Sequence, residues 1–294
     1  MAGPVRRGNA GVGKRRGRLA AYFLTFPGVL WLVAFFAVPM VNMFSVSLQE
    51  GTLETGFELT GRWQNYVDAF KAYDTQIYRS LIYGAIVTLA LLLMTYPVAY
   101  WIAFRAGARK NLFLLLLLLP FFTPFLIRTL SWRFVLADQG LFLGTLKDLG
   151  VVGEGLQLLA TPVAVIAGMI YNFLPFMALP LYVALERLDP ALLEAAGDLY
   201  SDRWHAFWKV TFPLSLPGVF AGSLLTFIPS VGDFIDAQLL GGPESTMIGN
   251  IIHSKFLVSF ELPEGAALSF LLMAGILIGV FLYARKLGTE ELTG

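Results

Sequence analysis

Residues 186–215 read ERLDPALLEAAGDLYSDRWHAFWKVTFPLS, a polar island between two long apolar runs, and Leu216, Pro217 and Gly218 lead straight into the second run. Connections between elements usually span about 4–6 residues, so a far longer one that keeps helical periodicity is built to touch something. Asp189-Pro190 is a helix start, with Asp as N-cap and Pro at the first helical position. The spacing predicts a short helix over 191–199 with Glu194 facing water or a partner. A second helical piece over 202–210 gathers Trp204, Phe207 and Trp208 on one apolar face. Ala195, Ala196 and Gly197 are small enough to let another protein approach the backbone, and Asp198 completes this short helix's polar surface.

The composition explains why a polar stretch stands out. The chain has 294 residues, is 57% hydrophobic and only 14% charged, and its mean hydropathy is +0.69. That balance excludes an ordinary soluble domain. About 20 apolar residues cross a bilayer as a helix, and six stretches qualify: 20–48, 80–104, 112–135, 162–185, 217–240 and 265–284. The expected fold is an all-α integral membrane protein with six transmembrane helices.

Arginine and lysine set the orientation. The N-terminal tail, the 105–110 connection, the island and the C-terminal tail together hold fourteen basic residues. The opposite loops hold five: Arg62, Lys71, Arg79, Lys147 and Lys255. Both termini and the island are therefore expected on the cytoplasmic side. The first apolar run is about twice the ~7–15 residues of a signal-peptide core, so it reads as an uncleaved span. The expected organisation is a basic tail at 1–19, a membrane domain at 20–285 with the island at 186–216, and a short tail at 286–294.

Little chemistry is available. Without cysteine there is no disulfide, thiolate metal site or cysteine nucleophile. His205 and His253 are too few and too far apart for a histidine metal site, and neither supplies a base at membrane depth for an intramembrane serine enzyme. Gly8 to Arg15 nearly spells a phosphate-binding loop, but Arg15 stands where that loop needs a hydroxyl and no strand precedes it. No catalytic residue, resident cofactor or metal is expected, and nothing in the charge pattern points to nucleic acid.

Glu194-Ala195-Ala196 with the closing Leu214-x-Leu216-Pro217 resembles the "EAA" loop of binding-protein-dependent ABC importer permeases of type I (MetI-like). Tyr200 stands where that family has a glycine, and Gly197 lies three residues early. Residues 119–129 (LPFFTPFLIRT), 227–234 (FIPSVGDF) and 239–243 (LLGGP) are similar to the first permease subunit of the spermidine/putrescine branch. The resemblance implies a permease in the prokaryotic cytoplasmic membrane, paired with a second, homologous permease subunit. It also implies two ATP-binding subunits that carry ATP and magnesium, and an extracytoplasmic substrate-binding protein. On this chain it assigns ATPase coupling to Asp189, Glu194, Ala195, Ala196, Gly197, Asp198, Trp204, Phe207 and Pro217. Other solutes handled by such importers are ferric iron, thiamine, sugars and other organic cations. A self-sufficient secondary transporter is the rival class, but it leaves the island unexplained, and the sequence shows neither internal repeat nor a chain of midplane charges.

Within the spans, ionisable and polar residues mark candidate pathway or gate positions. Arg128 interrupts the third apolar run, and a partnership with Asp233 or Asp236 is one expectation for it. The two aspartates, three apart, are expected on one face of the fifth helix near its outer boundary. Carboxylates beside aromatic rings suit an ammonium group, and Trp132, Tyr171 and Phe234 are the rings at hand. Asn172 lies in a polar and aromatic patch of the fourth span, next to a proline. Pro120 and Pro124 predict a kink in the third.

Overall fold

The computed structural model describes residues 24–199 and 202–287. The basic tail, its phosphate-loop look-alike, Tyr200 and residues 288–294 lie outside the described residues. Among these, five helices are long and apolar enough to cross a membrane: Leu24–Ser47, Gln64–Arg105, Pro162–Glu186, Trp204–Val231 and Leu262–Arg285. A bent pair, Gly107–Phe122 and Phe125–Leu136, passes the same test only when joined, and its halves meet at 91°. We number the five helices with the bent pair third, so that Pro162–Glu186 is the fourth.

The break in the third falls where the prolines predict it, and it is sharper than a kink. Thr123 and Pro124 are both extended, with ψ of 136° and 140°. A residue before proline is pushed out of the helical region, and the prolines carry no N–H to continue the ladder.

The second, fourth and fifth helices form the centre of the bundle. Their shared core contains Val87, Leu91, Met169, Met177, Leu181 and Leu185. Glycine allows the fifth helix to lie close against the fourth. A Cβ added at Gly218 would stand 2.4 Å from the Ala184 Cβ and 2.8 Å from the Pro180 carbonyl oxygen. Four residues on, the same addition at Gly222 would meet the Met177 sulfur at 2.9 Å. Small residues at this spacing are a usual device for close helix packing where lipid removes the ordinary hydrophobic drive. The sixth helix packs on the second, and the first packs on the sixth, through contacts such as Phe44 on Phe270 with ring centroids 5.5 Å apart.

Three expectations need correction. First, the second helix does not begin at residue 80, and what precedes it is not plain connection. A two-stranded antiparallel hairpin, Gln49–Thr52 with Gly56–Leu59, precedes the second helix. The aromatic stretch beyond it is the first part of that 42-residue helix, which bends at the non-helical Tyr73. Second, the fifth helix begins well before Pro217, at the island itself, through a π-helical turn over Phe207–Thr211. Third, the fifth run is not one helix to Leu240. It stops at Val231, and a separate short helix, Ile235–Leu240, follows. Pro229 weakens the ladder just before this stop. The Asp233 carboxylate then accepts from the backbone N–H groups of Ile235 (2.9 Å) and Asp236 (3.4 Å), which starts the new helix.

Candidate functional site

Two places break the pattern of their surroundings. One is the island, at the end of the bundle where the fourth helix gives way to the fifth. The other is a buried polar cluster toward the opposite end, hereafter the far end.

At the island, the helix Pro190–Leu199 starts as its sequence predicts, with the Asp189 carboxylate accepting from the Ala191 N–H at 2.9 Å. Glu194, Ala195, Gly197 and Asp198 are exposed, while Ala196 turns inward. Leu192 and Leu199 are also exposed, at 50% and 78%, and with Ala195 they form an apolar stripe at helical spacing. A Cβ added at Gly197 meets nothing within 4 Å, so none of the described residues covers this position. Asp202 caps the next turn, accepting from the Trp204 N–H at 3.0 Å and pairing with the His205 ring. The Trp204 N–H first, and then His205, hold the Asp202 carboxylate below its usual pKa.

Trp204 stays 63% exposed, but its ring stacks on Phe207, and Phe207 stands edge-on to Tyr96 and Tyr100 of the second helix. Pro217 lies ten residues beyond Phe207, inside the fifth helix. The island is also tied to its surroundings by an ion pair between Lys110 and Glu186. Trp208 was legible as part of the apolar face. The stripe of Leu192 and Leu199 was not singled out, although its spacing was available in the sequence.

The far-end cluster centres on Asp236, which is fully buried. Thr129 donates to its Oδ1 at 2.7 Å, and the Asn172 amide donates to both of its oxygens at 2.9 and 3.1 Å. Asn172 also reaches the Thr129 hydroxyl at 2.9 Å. One carboxylate thus joins the Phe125–Leu136 half of the bent pair, the fourth helix and the short Ile235–Leu240 helix. Buried polar groups inside a bundle need such partners.

Arg128 is buried on the same helix as Thr129, but it forms no ion pair with either aspartate. Its Nε and Nη1 have no hydrogen-bond partner among the described residues. The guanidinium instead lies 5.6 and 5.7 Å from the ring centres of Phe121 and Phe125, across the break. Asp233 is buried with one oxygen, Oδ2, unpartnered. The two aspartates therefore do not share one helix face. Asp233 caps the short helix from the break before it, Asp236 is locked inside that helix, and the Asp236 N–H donates to the Asp233 carboxylate. Trp132 and Tyr171 pack on each other at 5.5 Å, and Phe234 stacks on His253 at 4.7 Å.

Two apolar clefts flank these elements. One of about 400 Å³ lies between the second helix, the bent pair and the fourth helix, beside Pro120, Tyr171 and Pro175. The other, about 670 Å³, lies at the far end beside Phe234, His253 and the sixth helix. Among the described residues no group of acidic or histidine side chains is placed to hold a metal ion.

Comparison with known proteins fits this architecture. Residues 83–285 match the family described as the binding-protein-dependent transport system inner membrane component. The spermidine/putrescine transport system permease protein PotB of Haemophilus influenzae is 37% identical over 258 residues, covering 87% of this chain and 90% of that protein. PotB of Escherichia coli K12 is 35% identical over 260 residues, covering 87% and 94%. A chain of the crystal structure of a bacterial ABC transporter that imports the polysaccharide alginate superposes with a TM-score of 0.76. That match covers 95% of this chain and 99% of the other at 17% identity, which speaks to the fold alone. The chain belongs to the family of binding-protein-dependent inner-membrane transport components, and is a multi-pass, non-catalytic permease subunit of an ABC importer.

Proposed function

We propose that this subunit forms half of a polyamine pathway, for spermidine or putrescine, and receives the force for transport at the island. The observation that carries the solute class is the 37% identity to a spermidine/putrescine permease along nearly its whole length. The exposed stripe of Leu192, Ala195 and Leu199 supports the docking reading, because apolar side chains left uncovered on a polar segment suit a protein partner.

In this reading the bent pair is one crossing, giving six spans with both termini and the island in the cytoplasm. The membrane domain runs from 20 to 285, with the coupling loop at 186–216 and short tails at either end. A second, homologous permease completes the pathway, two ATP-binding subunits dock on the two coupling loops, and an extracytoplasmic binding protein delivers solute. Glu194, Ala195, Gly197, Asp198 and Trp204 face the ATPase. Asp189 and Ala196 shape the coupling helix, and Phe207 and Pro217 join it to the fifth helix. At the far end Asp233, whose buried Oδ2 lacks a partner, is the carboxylate that would meet a substrate ammonium once the path opens, and Arg128 sets the local charge. Asn172 holds Asp236 in place, and Trp132 with Tyr171 borders the path.

The test is ATP hydrolysis by the reconstituted assembly with its binding protein, with and without spermidine. Stimulation by spermidine that is lost in Glu194→Ala supports both the solute and the docking site. Stimulation by another solute, such as ferric iron, thiamine or a sugar, and by no polyamine, overturns the solute. An assembly that transports on an ion gradient without any ATPase overturns the whole reading.

A further inference from the structure

The island meets the membrane core at one buried hydroxyl contact. Tyr96, on the second helix, is 8% exposed, and its OH lies 2.7 Å from Ser215 Oγ on the fifth, 119 residues away in sequence. The Ser215 hydroxyl has a single proton, and it donates that proton to the Phe212 carbonyl at 2.9 Å. Tyr96 must therefore be the donor to Ser215. The chain of bonds runs from the Tyr96 OH to Ser215 Oγ and on to the Phe212 carbonyl, entering the backbone immediately after the π-helical turn Phe207–Thr211.

Rings meet at the same point. Phe207 lies edge-on to Tyr96 at 5.6 Å, and Phe212 lies 5.9 Å from it. Phe207 in turn stacks on the exposed Trp204 at 6.0 Å. Both helices are locally weakened here, the second by Pro97 directly after Tyr96 and the fifth by its π turn and Pro217. Such places are where helices bend. A displacement of the island thus has a short route into the second helix, and it ends where that helix is able to yield.

We infer that Tyr96 is a positioning residue that transmits movement of the island to the second helix through Ser215 and Phe207. This rests on the reading of the island as the ATPase dock. The test uses the complete reconstituted assembly and measures solute moved per ATP hydrolysed in Tyr96→Phe, Ser215→Ala and Tyr96→Phe/Ser215→Ala. The expected result is an ATPase that still copurifies and a ratio about tenfold lower, a coupling loss of the usual size. The double variant should be no worse than either single one, because all three remove the same bond. A role in stability alone would lower the melting temperature and leave the ratio at its wild-type value, and that result overturns the inference. Leu192→Glu serves as the reference. If it loses the ATPase while Tyr96→Phe and Ser215→Ala keep the wild-type ratio, the inference falls and the docking reading stands. If Leu192→Glu retains the ATPase with normal transport, both fall together.

Discussion

At the island, apolar side chains stand exposed on a polar segment. At the far end, polar side chains are buried among apolar helices. Leu192, Leu199 and Trp204 stand exposed, whereas Thr129, Asn172 and Asp236 are buried and bonded to one another. The difference separates two kinds of departure from the folding pattern. The first leaves the chain's own stability almost untouched and offers a surface to something else. The second holds three helical elements together and offers only what it leaves unpaired, one oxygen each of Asp233 and Asn172 and two nitrogens of Arg128.

Substitutions at the two ends should therefore separate assembly from stability. Leu192→Glu should weaken association with the ATPase by about a hundredfold, the effect of losing an interface anchor. Its melting temperature should stay near that of the parent, because the residue is already half exposed. Copurification and thermal unfolding in detergent check the two halves of this statement. Asn172→Leu should do the reverse, lowering stability by about 2 kcal/mol by removing the donor to both Asp236 oxygens, with the ATPase still bound. Thr129→Val keeps the shape and loses one bond to the same carboxylate, so about 1 kcal/mol is expected in the same melt.

The smallest effect lies outside the spans. Lys255 donates to Glu261 and Glu264 at 2.6 and 2.8 Å and lies over the Tyr73 ring, fastening the bend of the second helix to the start of the sixth. Burial opposes the Lys255 charge, yet the two carboxylates raise its pKa above the ordinary lysine value. The hydrogen bond from Lys255 lowers that of Glu261. Glu261's contribution is therefore present above its unfolded pKa and is lost as pH falls through the lower folded value. That of Lys255 is present below its unfolded pKa and is lost as pH rises through the higher folded one. Because Glu261 is half exposed, solvent screens the pair. Glu261→Gln should destabilise by only about 0.5 kcal/mol near neutral pH. Melting curves across pH should show that gap closing in acid.

The island was legible because its message is local. The Asp189-Pro190 cap, the Glu194-Ala195-Ala196 triplet and the closing leucines and proline all lie within one segment. The apolar runs were legible for the same reason, and the prolines at 120 and 124 marked the break inside the third. The buried cluster was visible only as separate residues. Asp236 and Asn172 drew attention because such side chains are rare in a span, but Thr129 carries no compositional signal. Its partners lie 107 and 43 residues away, so the pairing depends on packing. Tyr96 and Ser215 were missed on the same ground. The hairpin over 49–59 and the stop at Val231 depend on competition between local hydrogen bonds, which neither hydropathy nor periodicity records.

The central claim is that the island touches the ATPase. The chain contains no cysteine, so one introduced thiol is unique in this subunit. Ala195→Cys should form an adduct with the ATP-binding subunit when the assembled transporter is treated with a short cross-linker that takes a thiol at one end and a lysine amine at the other. Leu141→Cys, also exposed but at the far end, should not. An Ala195→Cys assembly that transports normally yet links to no ATPase, or a Leu141→Cys assembly that does link to it, would contradict this account.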